Sequence, residues 1–241
     1  MREHDAMRSR EARITNHGPR HWRHLLTALG VIGATVALHE GAHALVTARA
    51  GGKVKEIGIG FGPPLFRLRV RHLPVVVRML PLGGYAAVDP EQIPPRRRIP
   101  MLLAGPLANI AAGLPLMLAF RRHPVEIPND GRRVGLTGFA GTLTALIRAA
   151  AQGPGSIARL AGSMNVGLGL ANLLPVYPLD GGHVVMSILE ERGVPRETRI
   201  RFARWTAALF IMLARAAMLG DLRRLAGKEP GDQGTRGPDN T

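Results

Sequence analysis

The sequence predicts a mainly α-helical, polytopic membrane protein with about four transmembrane helices and a membrane-associated β-hairpin region between the first and second. One observation behind this prediction is a series of long uncharged apolar stretches separated by basic segments. Hydrophobic residues make up 46% of the 241 residues and aromatic residues only 4%, so the apolar content is mainly aliphatic. The other observation is the formal net charge of +15, because such an excess commonly flanks membrane spans and faces anionic lipid.

Four stretches are apolar enough to cross a hydrocarbon core of about 30 Å, which requires roughly 20 residues. They are residues 25–48, 99–120, 160–179 and 205–220. The last is short and contains Arg215, whose side chain would have to reach an interface. Residues 134–147 are uncharged but too few to span, so we predict an interfacial or re-entrant helix there.

The two ends of the chain, residues 1–24 and 221–241, are predicted to be disordered tails around a transmembrane core at 25–220. The first tail is rich in arginine and precedes an apolar stretch, as the start of a signal peptide does. No small-residue cleavage site follows it, so we expect an anchor that stays in the protein. Basic residues fall in similar numbers in the loops on the two sides, so charge alone gives no orientation.

Residues 53–89 differ in pattern from the spans and predict β-structure. Apolar and basic residues alternate from Phe66 to Arg71, as in a strand with one buried face. Val75–Val77 offers a second strand, and glycine and proline residues supply the turns before and after. We therefore expect a hairpin sheet beside the membrane, whose edge could pair with an extended peptide as an added strand.

The first predicted span ends in the motif H-E-G-A-H, which places ionisable side chains on a helix otherwise suited to lipid. His39 and His43 are four residues apart, so on a helix they project from one face and their imidazoles can bind one cation. Glu40 lies close by, where it could accept a proton from water as a general base. Since the chain contains no cysteine, any metal must take His or carboxylate ligands, and Zn²⁺ is the expected ion.

A catalytic zinc site needs a third protein ligand, and Asp180 is the best candidate. It follows the third predicted span, in a segment that Pro175 and Pro178 prevent from continuing as a helix. Asn172 lies in the same segment, and its amide could hold the backbone of a substrate. Asp180 could instead cap the helix that follows. Asn109 is interpreted as a helix-packing amide and His183 as a residue outside the metal site.

These motifs resemble those of the site-2 protease family of intramembrane zinc metalloproteases. The resemblance extends from the first predicted span through the third, in the motifs H-E-G-A-H at 39–43, G-F-G-P at 60–63, P-L-G-G-Y at 81–85, A-G-P-L-A-N at 104–109 and N-L-L-P-V-Y-P-L-D-G-G-H at 172–183. It implies that His39, His43 and Asp180 hold zinc, that Glu40 is the general base and that Asn172 helps to position substrate.

The resemblance also implies partners and a location. A family member of this kind would lie in the inner membrane of a bacterium, with its active site nearer the cytoplasmic side, and would cleave membrane-embedded protein substrates such as anti-sigma factors or signal-peptide remnants. Many bacterial members carry a PDZ domain between the second and third spans, but residues 121–159 are too few for one, so the chain is a compact form. Neither the substrate nor the oligomeric state follows from the sequence.

Two other functions remain open at this point. A membrane zinc hydrolase of a lipid or a small amide would need the same metal site but no β-edge. A non-catalytic membrane scaffold or metal carrier would need the ligands but not Glu40. We expect no nucleic-acid partner, because the arginines are dispersed around apolar spans and few aromatic residues are available for base stacking.

Overall fold

The computed structural model describes residues 18–70, 72–88, 93–125 and 138–226. The two predicted tails lie largely outside this range. The elements in chain order are α1 (Gly18–Arg49), β1 (Val54–Val70), β2 (Leu73–Val88), α2 (Pro95–Ala119), α3 (Phe139–Gln152), α4 (Pro154–Asn172), α5 (Asp180–Glu191) and α6 (Arg196–Ala226).

Three helices of the described part of the chain are long and apolar enough to cross a membrane. They are the segments His21–Arg49 in α1, Pro95–Ala119 in α2 and Arg196–Leu222 in α6. The prediction of a mainly helical membrane protein is therefore confirmed, whereas the third predicted span, at 160–179, stays a prediction. Its helix, α4, ends at Asn172 because Pro175 and Pro178 lack the backbone N–H that a continuing helix requires. The predicted helix at 134–147 corresponds to α3, which begins at Phe139, and residues 134–137 are outside the described range.

The two strands form one sheet in which each strand contributes two segments, and the pairings of 57–59 with 84–86 and of 66–70 with 73–77 run antiparallel. Residues 57–59 pair with 84–86 on one side and with 75–77 on the other, and residues 66–70 pair with 73–77. Across the sheet, the segments therefore run in the order 84–88, 54–59, 73–77 and 66–70. Both strands lie within the predicted region 53–89, and the bend in β1 falls at Gly60 and Gly62, which have φ values of 87° and 86° that suit glycine.

The sheet packs against α1 at two places, one at Ala44 and one beside Glu40. Ala44 of α1 forms a buried cluster with Ile57 and Val75 of the sheet. At Gly84, a Cβ atom would lie 2.7 Å from Cγ1 of Val36 and 2.9 Å from Cγ of Glu40. Only a residue without a side chain allows the sheet to approach α1 this closely. Glycine at position 84 therefore lets segment 84–88 lie against Glu40.

Helices α2 and α4 pack closely through small residues and run antiparallel. A Cβ atom on Gly113 would lie 2.6 Å from the carbonyl oxygen of Gly162, and one on Gly169 would lie 2.6 Å from that of Pro106. Close approach through small residues is a common way for helices to associate in a membrane. This contact brings the end of α4 towards the part of α2 that faces α1.

The loop between α4 and α5 folds back over the start of α5. A Cβ atom on Gly181 would lie 2.4 Å from the carbonyl oxygens of Leu173 and Leu174, and one on Gly182 would lie 2.5 Å from the backbone nitrogen of Tyr177. The two glycines therefore permit the backbone contact that fixes the first turn of α5. This turn sets the direction of the side chain of Asp180, the first residue of α5.

Candidate metal centre

The histidines of the H-E-G-A-H motif lie one turn apart in the C-terminal half of α1 and face the protein interior. Nε2 of His39 lies 3.1 Å from Nε2 of His43, and the two rings are nearly perpendicular, with an interplanar angle of 82°. His39 is 7% exposed and Glu40 is 8% exposed, so the site is screened from bulk solvent. Both Nε2 atoms thus point to one place between α1 and the next elements.

Asp180 reaches the same place from the start of α5. Its Oδ2 atom lies 3.0 Å from Nε2 of His39 and 3.3 Å from Nε2 of His43. The N-cap position of α5 is occupied by Leu179, and Asp180 follows it as the first residue of the helix, so Asp180 is not the N-cap residue. His39, His43 and Asp180 form a group whose donor atoms all lie within 4.8 Å of one another.

These distances fit a zinc ion. Bonds of about 2.0–2.1 Å in a tetrahedral arrangement separate neighbouring donor atoms by about 3.3 Å. The three separations observed, 3.0, 3.1 and 3.3 Å, are close to that value. Two imidazoles and one carboxylate are also a donor set that leaves a fourth position open, as a catalytic site requires.

Helix α2 closes one side of the site with a glycine. A Cβ atom on Gly105 would lie 2.4 Å from Nε2 of His43 and 2.8 Å from Nε2 of His39. A side chain at this position would therefore occupy the space beside the donor atoms. The carbonyl oxygen of Met101, one turn earlier, accepts a hydrogen bond of 2.7 Å from Nδ1 of His43 and orients that ring.

The charge state of Asp180 suits metal binding. Asp180 begins a 12-residue helix that is too short to be one of the candidate spans. Burial by itself would raise the pKa of its carboxyl group, but hydrogen bonds from His39 and His43 outweigh burial and lower the pKa to about 2. The group is therefore a carboxylate at neutral pH, which is the form that binds a cation.

The other residues singled out in the sequence occupy different positions. Asn172 lies at the end of α4, where its Nδ2 donates a hydrogen bond of 3.0 Å to the carbonyl oxygen of Leu168. His183 packs against the ring of Tyr177, with ring centroids 4.7 Å apart, and is not part of the metal-binding group. Asn109 is fully buried in α2. Sequence reasoning did not identify Met101, Gly84 or Gly105 as parts of the site, although Gly84 and Gly105 belong to quoted motifs.

Fold and site together define a membrane protein with a buried His₂Asp metal-binding group and a glutamate beside it. A family model described as peptidase family M50 matches residues 27–214. The chain belongs to peptidase family M50, the site-2 protease family, and the resemblance seen in its motifs is confirmed.

Several known proteins are similar to parts of the chain. The zinc metalloprotease RasP of Geobacillus kaustophilus is 40% identical over 76 residues, which are 30% of this chain and 18% of that protein. The zinc metalloprotease Rip1 of Mycobacterium tuberculosis is 35% identical over 111 residues, which are 39% of this chain and 27% of that protein. The regulator of sigma-W protease RasP of Bacillus subtilis is 39% identical over 66 residues, which are 26% of this chain and 16% of that protein.

Each match with these curated relatives spans less than a third of the relative's length. Among solved structures, the site-2 protease from Methanocaldococcus jannaschii aligns with 82% of this chain and 67% of its own, at 21% identity and a TM-score of 0.44.

Proposed function

We propose that the chain is an intramembrane zinc endopeptidase that hydrolyses peptide bonds of membrane-anchored substrate proteins, in the inner membrane of a bacterium. The observation that carries this proposal is the convergence of His39, His43 and Asp180 beside the buried Glu40. Family membership and the zinc metalloproteases among the relatives support it.

In this proposal, Nε2 of His39, Nε2 of His43 and Oδ2 of Asp180 hold the zinc ion. Zinc bound there would polarise the scissile carbonyl group and lower the pKa of water from about 15.7 towards 7. The carboxylate of Glu40 accepts a proton from the attacking water and then donates it to the nitrogen of the leaving amine. The packing of segment 84–88 and α2 around the site limits the entry of bulk water.

The main test compares cleavage by the wild type and Glu40→Gln. Each is co-expressed with candidate single-span membrane proteins, and the fragments are separated on a gel. Glu40→Gln removes the proton acceptor while keeping the size of the side chain, so we expect cleavage to fall by about 10²-fold to 10⁴-fold. Glu191→Gln is the matched control, because Glu191 is an exposed glutamate at the end of α5. We expect this variant to cleave as the wild type does.

The same experiment separates the endopeptidase from both competing functions. A hydrolase of lipids or small amides would leave every protein substrate intact in both strains, and so would a metal carrier or scaffold. The carrier or scaffold would keep its own function in Glu40→Gln, which the hydrolase would lose. Fragments that form in the wild type and are lost in Glu40→Gln support the endopeptidase.

We further propose that the substrate is held as an extended strand along segment 84–88. A helical substrate hides its peptide bonds in its own hydrogen bonding, so it must be extended before it is cut. The sheet has two outer segments, 66–70 and 84–88, each paired on one side by the strands of the sheet. Of the two, segment 84–88 lies at Glu40, through the contact of Gly84 with α1.

Proline substitutions test this substrate edge. Ala86→Pro removes a backbone N–H from the segment at Glu40, and Leu68→Pro makes the same change in the other outer segment. We expect Ala86→Pro to slow cleavage with zinc still bound, and Leu68→Pro to cleave nearly as fast as the wild type. Equal rates for both variants, measured with equal zinc content, would contradict this role of segment 84–88.

A further inference from the structure

The two histidines of the metal-binding group differ in how their second ring nitrogen is satisfied. Each presents Nε2 to the site, so in a neutral imidazole ligand the proton is on Nδ1 and requires an acceptor. Nδ1 of His43 has the carbonyl oxygen of Met101 at 2.7 Å. Nδ1 of His39 is buried and has no hydrogen-bond partner among the described residues. Histidine ligands almost always donate from this nitrogen, so His39 needs an acceptor that no described side chain or backbone group provides directly.

Three buried polar side chains lie where α1, α2 and α4 meet. Thr35 is 3% exposed, Asn109 0% and Asn165 7%. Nδ2 of Asn165 donates hydrogen bonds of 2.9 Å to Oγ1 of Thr35 and 2.9 Å to the carbonyl oxygen of Ala161. Oδ1 of Asn165 and both polar atoms of Asn109 have no partner within the described part of the chain. Buried amides without partners are rare in folded proteins, so these atoms require an explanation.

The three side chains adjoin His39 through the helices that carry them. Thr35 precedes His39 by one turn on the same face of α1. On α2, Asn109 lies between Gly105 and Gly113, each one turn away. A Cβ atom on Gly105 would lie 2.8 Å from Nε2 of His39, and one on Gly113 would lie 2.7 Å from Cβ of Asn165. The face of α2 that carries Asn109 therefore contacts His39 at one end and Asn165 at the other.

We propose that Thr35, Asn109 and Asn165 bind ordered water between α1, α2 and α4, and that this water accepts the Nδ1–H of His39 and orients its ring. A buried water makes two to four hydrogen bonds to polar groups that are otherwise unsatisfied. The amide of Asn109, Oδ1 of Asn165 and Nδ1 of His39 supply such groups. The three residues are positioning residues, because they act on the metal through His39. This inference rests on the proposed function, in which His39 is a zinc ligand.

Metal binding tests the proposal without any measurement of proteolysis. The full chain, purified in detergent and stripped with a chelator, is titrated with Co²⁺, whose visible absorption reports both affinity and ligand geometry. Thr35→Val and Asn109→Leu remove polar groups of the cluster, and we expect each to weaken Co²⁺ binding by about 10-fold to 100-fold and to shift the absorption bands. Thr35→Ser keeps the hydroxyl group and should restore both.

Thr47→Val is the matched control. Thr47 is also a buried threonine of α1, 1% exposed, but it lies one turn beyond His43 and packs near Gly52. We expect the Thr47→Val variant to bind Co²⁺ as the wild type does. If Thr35→Val and Asn109→Leu bind Co²⁺ within twofold of the wild type with the same spectrum, the cluster does not orient His39 and the inference is overturned. If the wild type itself binds no Co²⁺, the proposed function fails instead.

A second measurement is made on the wild type, so its result does not depend on the folding of the cluster variants. In the wild type labelled with ¹⁵N-histidine and loaded with zinc, the Nδ1–H of His39 should give a cross peak to a bound water. The His39→Gln spectrum assigns the signal. A cross peak supports the hydrated cluster, whereas a protected Nδ1–H signal without contact to water would overturn it.

Discussion

At the scale of single residues, Gly105 sets the space available to the metal. A Cβ atom there would lie 2.4 Å from Nε2 of His43 and 2.8 Å from Nε2 of His39, and both rings are held by helix packing. We expect Gly105→Ala to lose most of its zinc, measured as metal content of the purified protein. Gly167→Ala is the control, because a Cβ atom at Gly167 meets nothing within 4 Å and alanine favours a helix by about 0.5–1 kcal/mol. Normal zinc content in Gly105→Ala would show that the rings can move aside.

Several of these residues could be predicted because their information is local. Two histidines four residues apart fall on one helix face whatever surrounds them. Asp180 could be predicted from the prolines and glycines that interrupt the chain on either side. The carbonyl oxygen of Met101 and the contacts of Gly84 and Gly105 could not, because they depend on how α2 and the sheet pack against α1, and a backbone acceptor has no sequence signature.

At the scale of elements, Glu190 fixes the far end of the helix that carries Asp180. Its Oε2 atom accepts a hydrogen bond of 3.2 Å from Nη1 of Arg98 in α2 and one of 2.8 Å from Nη1 of Arg199 in α6. We expect Glu190→Gln to weaken both contacts and lower stability by about 1 kcal/mol, since these ion pairs are partly exposed. In a chain of this size, that change lowers Tm by about 2–4 °C, measured by thermal unfolding in detergent. The neighbouring Glu191→Gln should leave Tm unchanged, and an equal Tm for both variants would argue against the anchoring role.

The bounds and pairing of the elements also show where prediction from local sequence patterns fails. The third span was predicted to end at residue 179 because residues 160–179 are uncharged, but the prolines end α4 at Asn172 and leave a loop. The sheet was predicted as a hairpin, and its strands do pair as neighbours. The second pairing of residues 57–59 with 84–86 could not be predicted, because it requires β1 and β2 to bend at glycines whose effect on register is not encoded locally.

At the scale of the whole molecule, apolar side chains cover the outside of the helix bundle. Helix α6 exposes Trp205, Leu209, Ile211, Met212, Leu213, Met218, Leu219 and Leu222, and α2 exposes Leu107, Leu114 and Leu118. In water such a surface would promote association, whereas in a bilayer it faces lipid. Polar residues such as Thr35, Asn109 and Asn165 are instead buried between the helices. This distribution suits a bilayer, and it changes how the hydropathy of α4 should be interpreted.

We predict that α4 crosses the membrane, although its hydropathy is low. Its buried face consists of Gly155, Ser156, Gly162, Asn165 and Gly169, residues that lower the mean hydropathy but contact neighbouring helices rather than lipid. It runs antiparallel to α2, and 19 helical residues span about 28 Å, close to the thickness of the hydrocarbon core.

Because the chain has no cysteine, single substitutions give an unambiguous test with a membrane-impermeant thiol reagent. Lys53→Cys, Arg122→Cys and Arg192→Cys lie at exposed positions before α2, after α2 and after α5. If α4 crosses, residues 53 and 192 are labelled from one side and residue 122 from the other. Labelling of residues 122 and 192 from the same side would place α4 at the membrane interface. The loop that carries Asp180 would then have to reach the site although α4 does not cross the membrane.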